Sequence, residues 1–288
     1  MRFLLGSLLW GICQAAMTPK SFIDITRIRS NVLPTSLLTI MAAPPIQQIN
    51  IPRFGKAFTM VHLLSSASMV INDIYDQSGD RVNHPDRPLV SGKISEKEAW
   101  ITVGVLSTMY GALGLALPRV VAPYWIGAWV LIMAYTPVLK NICFMKNLAC
   151  AATVAATIPF IGLSASSPNV ISRSGLWGRA RFVFAGSLYC EILMDILDRG
   201  GDAMAGIRTL PVLHGNPGSL GILTVVLALL QASLYRSPVL MVLMFPLYWD
   251  IWRIHRGGYR PHDIKRACKQ TTVLLLVGIL LEGSAKIL

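Results

Sequence analysis

Asn72, Asp73, Asp76 and Asp80 place four oxygen-bearing side chains at offsets of one, four and eight residues, and at about 100° per residue they fall on one side of a helix. Three carboxylates so placed repel one another and need a cation, or they must protonate. A solvated acidic cap on a helix end is the plainer alternative. It fits poorly, because Asp is a weak helix former and near a helix C-terminus opposes the macrodipole. A second set, Glu191, Asp195, Asp198 and Asp202, recurs at offsets of four, seven and eleven, within about 60° of arc if one helix continues through all four. Gly200 and Gly201 are expected to loosen that helix first. Pairing with Arg199 and Arg208 would explain one or two of these carboxylates, not a stripe of four. Such sets suit hard divalent cations, above all Mg2+, which fills an octahedral shell with a few carboxylates, waters and phosphate oxygens. The cations that could meet the phosphates are Arg87, Lys93, Lys140 and Arg208: Arg grips phosphate bidentately and Lys acts as a point charge. Each alone is an ordinary positive anchor beside an apolar run. Together with two acidic stripes they read as a diphosphate clamp.

The elements that must position these groups are apolar. Of 288 residues 53% are hydrophobic and 14% charged, with a net charge of +12, whereas a soluble domain carries about a quarter charged residues. Repeated apolar runs of membrane-crossing length point to one all-α, multi-spanning membrane helical bundle. Nine spans are expected: 30–43, 57–75, 99–117, 121–138, 148–164, 182–197, 220–234, 238–252 and 271–287. Lys and Arg gather before the first and after the second, fourth, sixth and eighth, as the positive-inside rule requires of correctly placed spans, and both acidic sets fall on that basic face. Residues 1–26 form a targeting or interfacial segment, with Arg2, a short apolar run and then Ala15 and Ala16 resembling a cleavable leader; residues 27–288 form the main domain. The five cysteines show neither CxxC nor Cys/His spacing, so zinc and a disulfide framework are not indicated.

Beyond these counts, the motifs resemble those of the UbiA superfamily of intramembrane prenyltransferases. Asn72, Asp73, Asp76 and Asp80 are similar to its NDxxDxxxD pattern, and Asn83, Pro85, Arg87-Pro88-Leu89, Ser91-Gly92 and Ile94-Ser95 to the run that follows. Asp195, Asp198, Gly201-Asp202, Gly206 and Thr209-Leu210-Pro211 are similar to DxxDxxGDxxxGxxTLP, and Tyr135-Thr136-Pro137 through Lys140 to the family's fourth-span ending. The resemblance implies two Mg2+ ions bridging a prenyl diphosphate, held by Asn72, Asp76 and Asp80 and by Asp198 and Asp202, with Asp73 and Asp195 in the same sets. Arg87 and Lys140 would contact the diphosphate beside Arg208 and Tyr135, with Asp76, Asp198, Arg87 and Lys140 as the catalytic group. It also implies a central apolar cavity for the isoprenyl tail and a hydrophobic acceptor, aromatic, ring or lipid. Departures stand at Glu191, Met194 and Asn141, where the family often carries Tyr, Lys and Arg; they bear on the acceptor.

Two other classes compete. A terpene cyclase of the same superfamily would share the metal site and need no acceptor. A transporter would carry its acidic residues near mid-span on broken helices, whereas these lie at helix ends on one face. Nucleic acid is not expected, because the positive charge lies in loops beside spans, where anionic membrane lipid is the natural partner. The protein is thus expected to be integral and multi-pass, in an organelle or endomembrane if the leader is real. His84, His214 and His255 are expected to be interfacial, not catalytic.

Overall fold

The computed structural model describes residues 17–166, 173–204 and 206–284, so the expected leader, Met1 to Ala16, lies outside the described residues. Those residues fold into helices: α1 (Pro19–Ile25), α2 (Ile28–Ala42), α3 (Ile51–Tyr75), α4 (Gln77–Asn83), α5 (Glu96–Leu115), α6 (Ala122–Tyr135), α7 (Met145–Ala165), α8 (Arg173–Met204), α9 (Leu210–Ala232), α10 (Pro238–Leu243), α11 (Phe245–Arg256) and α12 (Pro261–Ser284). Each apolar run picked out above overlaps a helix, though the fourth and seventh extend past the ends of α6 at Tyr135 and α9 at Ala232; the eighth is split at Met244, and the last extends past Ser284, beyond the described residues. Among the described residues α3, α7 and α9 combine the length and apolar composition needed to cross a membrane, against an expected nine. The remaining helices are shorter, or polar and charged residues dilute them. Their outward faces are nonetheless apolar: Leu33, Leu115, Phe245 and Val273 are more than half exposed, as a lipid-facing surface requires.

The helix ends obey local chemistry. Ser95 and Glu98 form a capping box at the start of α5, the Ser95 hydroxyl accepting from the Glu98 N–H and the Glu98 carboxylate accepting from the Ser95 N–H at 2.7 Å. Pro123 and Pro211 sit in the first turns of α6 and α9, where a missing N–H costs nothing. Gly200 and Gly201 do not end α8, which runs on to Met204. The stop is Gly206, at φ +71°, where the Ile207 N–H returns to the Asp202 carbonyl at 2.8 Å.

The chain divides into two compact units, one built from residues up to Ser36 together with Thr59–Ala116, the other from Leu37–Phe58 together with everything from Leu117. In the first, Ser36 and His62 join α2 to α3 at 3.0 Å, and Tyr75 meets Trp100 edge-on, joining α3 to α5. In the second, α8 packs against α7, α9 and α12. Phe182, Ala185, Tyr189, Ile192 and Ile196 of α8 repeat at helical spacing and are fully or nearly buried with Leu223 and Leu227 of α9 and Ile264 and Ala267 of α12. The α8–α12 contact is close in both directions. A methyl on Gly186 would sit 2.6 Å from Leu275, and one on Gly278 would run into the Phe182 ring, the small-residue packing typical of membrane helices.

Candidate active site

In the first unit the acidic set spans the junction of α3 and α4. The backbone breaks at Asp76 (φ −91°, ψ 5°), yet the ladder persists, with the Asp76 N–H bonded to Asn72 O and the Asp80 N–H to Asp76 O, each at 2.9 Å. The backbone hydrogen-bond ladder therefore continues across the break. Asp73 is 2% exposed; its Oδ1 pairs with Arg27 and lies 3.4 Å from Arg87, which also pairs with Asp80. Two guanidinium groups thus offset two buried carboxylates, which otherwise would be expensive to desolvate. Asn72 and Asp76 are half-buried beside this network. Arg87 does meet the first acidic set, through carboxylates.

In the second unit α8 carries Glu191, Asp195, Asp198 and Asp202 on one uninterrupted helix. Asp195 is buried. Lys146 reaches its Oδ1 at 2.7 Å and the Asn147 amide donates to its Oδ2 at 2.9 Å, both from the first turn of α7. Asp198 is exposed and Asp202 half-buried. Beyond the apolar part of α8, burial pushes the Asp202 carboxyl above its ordinary value; Lys146 opposes this, and Asp195 and Asp198 add to it.

Of the predicted cations, Lys140 lies half-buried on a 3₁₀ turn and Arg208 is exposed. The lysine that acts on Glu191 and Asp202 is Lys146. Tyr135 ends α6 half-buried, within electrostatic reach of Cys150, Glu191 and Asp195. Arg27, Lys146 and Asn147 were not singled out in the sequence. The signal available for the last two was a Lys-Asn pair opening an otherwise apolar span, a costly place for either side chain.

Among the described residues no three His, Cys, Asp or Glu side chains are gathered closely enough to hold a metal ion. The donor chemistry does fit magnesium. Asp73 Oδ2 and Asp202 Oδ2 are buried carboxylate oxygens without a hydrogen-bond partner, and an orphaned anionic oxygen is what a hard cation satisfies.

Apolar outer helix faces, with buried carboxylates paired to basic residues, mark the described residues as those of an all-helical, integral membrane protein. The family model of the UbiA prenyltransferase family matches residues 32–275. Digeranylgeranylglyceryl phosphate synthase of Pyrococcus abyssi is 33% identical over 247 residues, covering 78% of this chain and 84% of that protein. The synthase of Saccharolobus solfataricus is 31% identical over 241 residues, covering 82% of each. Among solved structures, a UbiA homolog from Archaeoglobus fulgidus bound to GPP and Mg2+ aligns with TM-score 0.69 at 19% identity, covering 92% of this chain and 99% of that one. A structure concerning digeranylgeranylglyceryl phosphate synthase in membranes aligns with TM-score 0.74 at 18% identity, covering 92% and 98%. The chain belongs to the UbiA prenyltransferase family, and it is a prenyltransferase.

Proposed function

We propose that this protein moves an isoprenyl group from a prenyl diphosphate to a lipid acceptor carrying a glyceryl phosphate, with Mg2+ as cofactor. The observation that carries the metal assignment is the pair of orphaned, buried carboxylate oxygens on Asp73 and Asp202, one in each acidic set. The acceptor class is supported by relatives named digeranylgeranylglyceryl phosphate synthase, at 31–33% identity.

Asn72, Asp73, Asp76 and Asp80 with Asp195, Asp198 and Asp202 form the two acidic sets that would hold the ions. Within them Asp73 and Asp195 act by being fixed to basic partners, while Asp198 and Asp202 are the less buried members of their set. Mg2+ held by these carboxylates would supply positive charge against the charge building on a departing diphosphate. Arg87 in the first unit, and Lys140 and Arg208 in the second, are the cations that would meet phosphate oxygens, and donors of that kind lower the barrier to breaking an allylic C–O bond. Tyr135 stands beside the second set, within electrostatic reach of Glu191 and Asp195. Apolar surroundings would keep water from the allylic cation, left when diphosphate departs with the electron pair of the C–O bond, until the acceptor hydroxyl oxygen bonds to C1 and releases its proton.

The test is purified protein with Mg2+ and geranylgeranyl diphosphate, offered in turn a geranylgeranylglyceryl phosphate acceptor, 4-hydroxybenzoate, homogentisate and no acceptor, with products read by mass spectrometry. The expected product is the doubly prenylated glyceryl phosphate. Transfer to an aromatic ring alone would overturn the acceptor assignment, and cyclic hydrocarbon formed without acceptor would replace transfer by cyclisation.

A further inference from the structure

Between α11 and α12, within the second unit, lies a surface cleft of about 530 Å³ to which neither acidic set contributes. Its walls change character along their length. Arg253, Arg266 and Lys269 line it, with Leu247, Leu274 and Val277 further from the turn that joins the two helices. At about 1.5 Å per residue, Val277 lies roughly 12 Å along α12 from Lys269, far enough to pass from headgroup depth into hydrocarbon.

The charged part carries a surplus. Asp250 is the acidic residue of the wall; it is paired with Arg253 at 3.1 Å and also lies within electrostatic reach of Arg266, so one carboxylate faces three cations, of which Arg266 and Lys269 are exposed. Arg253 Nη2 is the atom that pairs with Asp250, while Nε, the neighbouring donor on the same edge of the guanidinium, is buried and makes no hydrogen bond. That edge is the fork with which Arg grips a phosphate. Trp249, 63% exposed, also lines the cleft and stacks on Trp252 at 4.8 Å, with the Arg256 guanidinium 5.7 Å from the Trp252 ring. Exposed Trp flanked by Arg marks the level of a membrane interface.

From this arrangement we infer that the α11–α12 cleft is a binding site for one anionic phospholipid, its phosphate on Arg253, Arg266 and Lys269 and an acyl chain along Leu247, Leu274 and Val277. A free phosphate would leave the apolar half of the cleft empty. A prenyl diphosphate would bring a metal, and the cleft offers it no carboxylate beyond the paired Asp250.

The test uses the full chain in detergent micelles and native mass spectrometry, with phosphatidylglycerol or phosphatidylcholine of equal chain length as probes. One phosphatidylglycerol should be retained about tenfold more tightly than phosphatidylcholine. Arg266→Gln with Lys269→Gln, both on exposed positions, should abolish the preference. Arg260→Gln with Lys265→Gln, removing the same charge from the same region outside the cleft walls, should keep it. Val277→Trp should weaken both lipids. Equal retention of the two lipids by the unmodified protein overturns the inference, as does equal loss in the two charge variants. So does displacement of phosphatidylglycerol by glycerol phosphate or by a prenyl diphosphate at lower concentration than by phosphatidylglycerol itself.

Discussion

Lys146 Nζ lies 2.7 Å from Asp195 Oδ1, an ion pair joining the first turn of α7 to the middle of α8, with each side chain mostly buried. The first unit repeats the device, Arg27 pairing with Asp73 in α3. In both acidic sets the most deeply buried carboxylate is held by a basic residue far away in sequence. A buried charge so held fixes the helix that carries it, which orients the less buried members of the set.

Lys146→Met would leave Asp195 a buried carboxylate with only the Asn147 amide for company. Breaking one side of a buried pair costs about 3 kcal/mol, so the melting temperature in detergent should fall clearly. Adding Asp195→Asn to it should recover part of the loss, because the uncompensated charge is then gone. A single variant that melts with the unmodified protein would show that the pair carries no stability.

The helices and both acidic sets were legible because each is periodic within a short window: apolar runs for the spans, offsets of four, seven and eleven for the carboxylates of α8. Arg87 was singled out as a phosphate cation; its contacts with Asp73 and Asp80 were not legible. Arg27 and Lys146 were not legible either, since they meet their partners across 46 and 49 residues and no local period encodes such a contact. Gly200 and Gly201 misled for a different reason. Each costs about 1 kcal/mol in a helix interior, but a 32-residue helix buried against three others absorbs that, and the chain turns only at Gly206, where positive φ is required.

Gly278→Leu should disturb the α8–α12 contact, because its first added carbon already meets the Phe182 ring. Overpacking of this kind costs about 1–3 kcal/mol. Thermal melting should fall accordingly, and Gly278→Leu combined with Phe182→Ala should melt higher than Gly278→Leu alone. If Gly278→Leu melts normally, the two helices are not as close as described.

Stability at acid pH should show the α5 cap. The Ser95 backbone N–H holds the Glu98 carboxyl below its ordinary value, with the Ser95 hydroxyl adding to it. A folded-state value lower than the unfolded one gives stability that is complete above the unfolded value and is lost as pH falls through the folded one. Ser95→Ala should cost about 1 kcal/mol at neutral pH. Glu98→Gln should lose the acid-dependent part of the melting curve below about pH 4.5. An unchanged pH profile in Glu98→Gln would mean that the cap contributes nothing.

Metal dependence separates the members of each acidic set. Asp198 is exposed, so Asp198→Asn should change stability by no more than about 0.5 kcal/mol, yet prenyl transfer should fall by about a hundredfold or more, because one oxygen of the magnesium shell is lost. Asp76→Asn should lose transfer to a similar degree. Asp195→Asn should differ in kind: it strands Lys146 in a buried site, so melting and transfer fall together. Chelating Mg2+ should stop the unmodified enzyme, and restoring it should revive activity. Raised Mg2+ should partly rescue Asp198→Asn, which keeps its fold, and should not restore the melting temperature of Asp195→Asn. Full turnover of Asp198→Asn at ordinary Mg2+, measured by product mass spectrometry, would remove that carboxylate from the metal site.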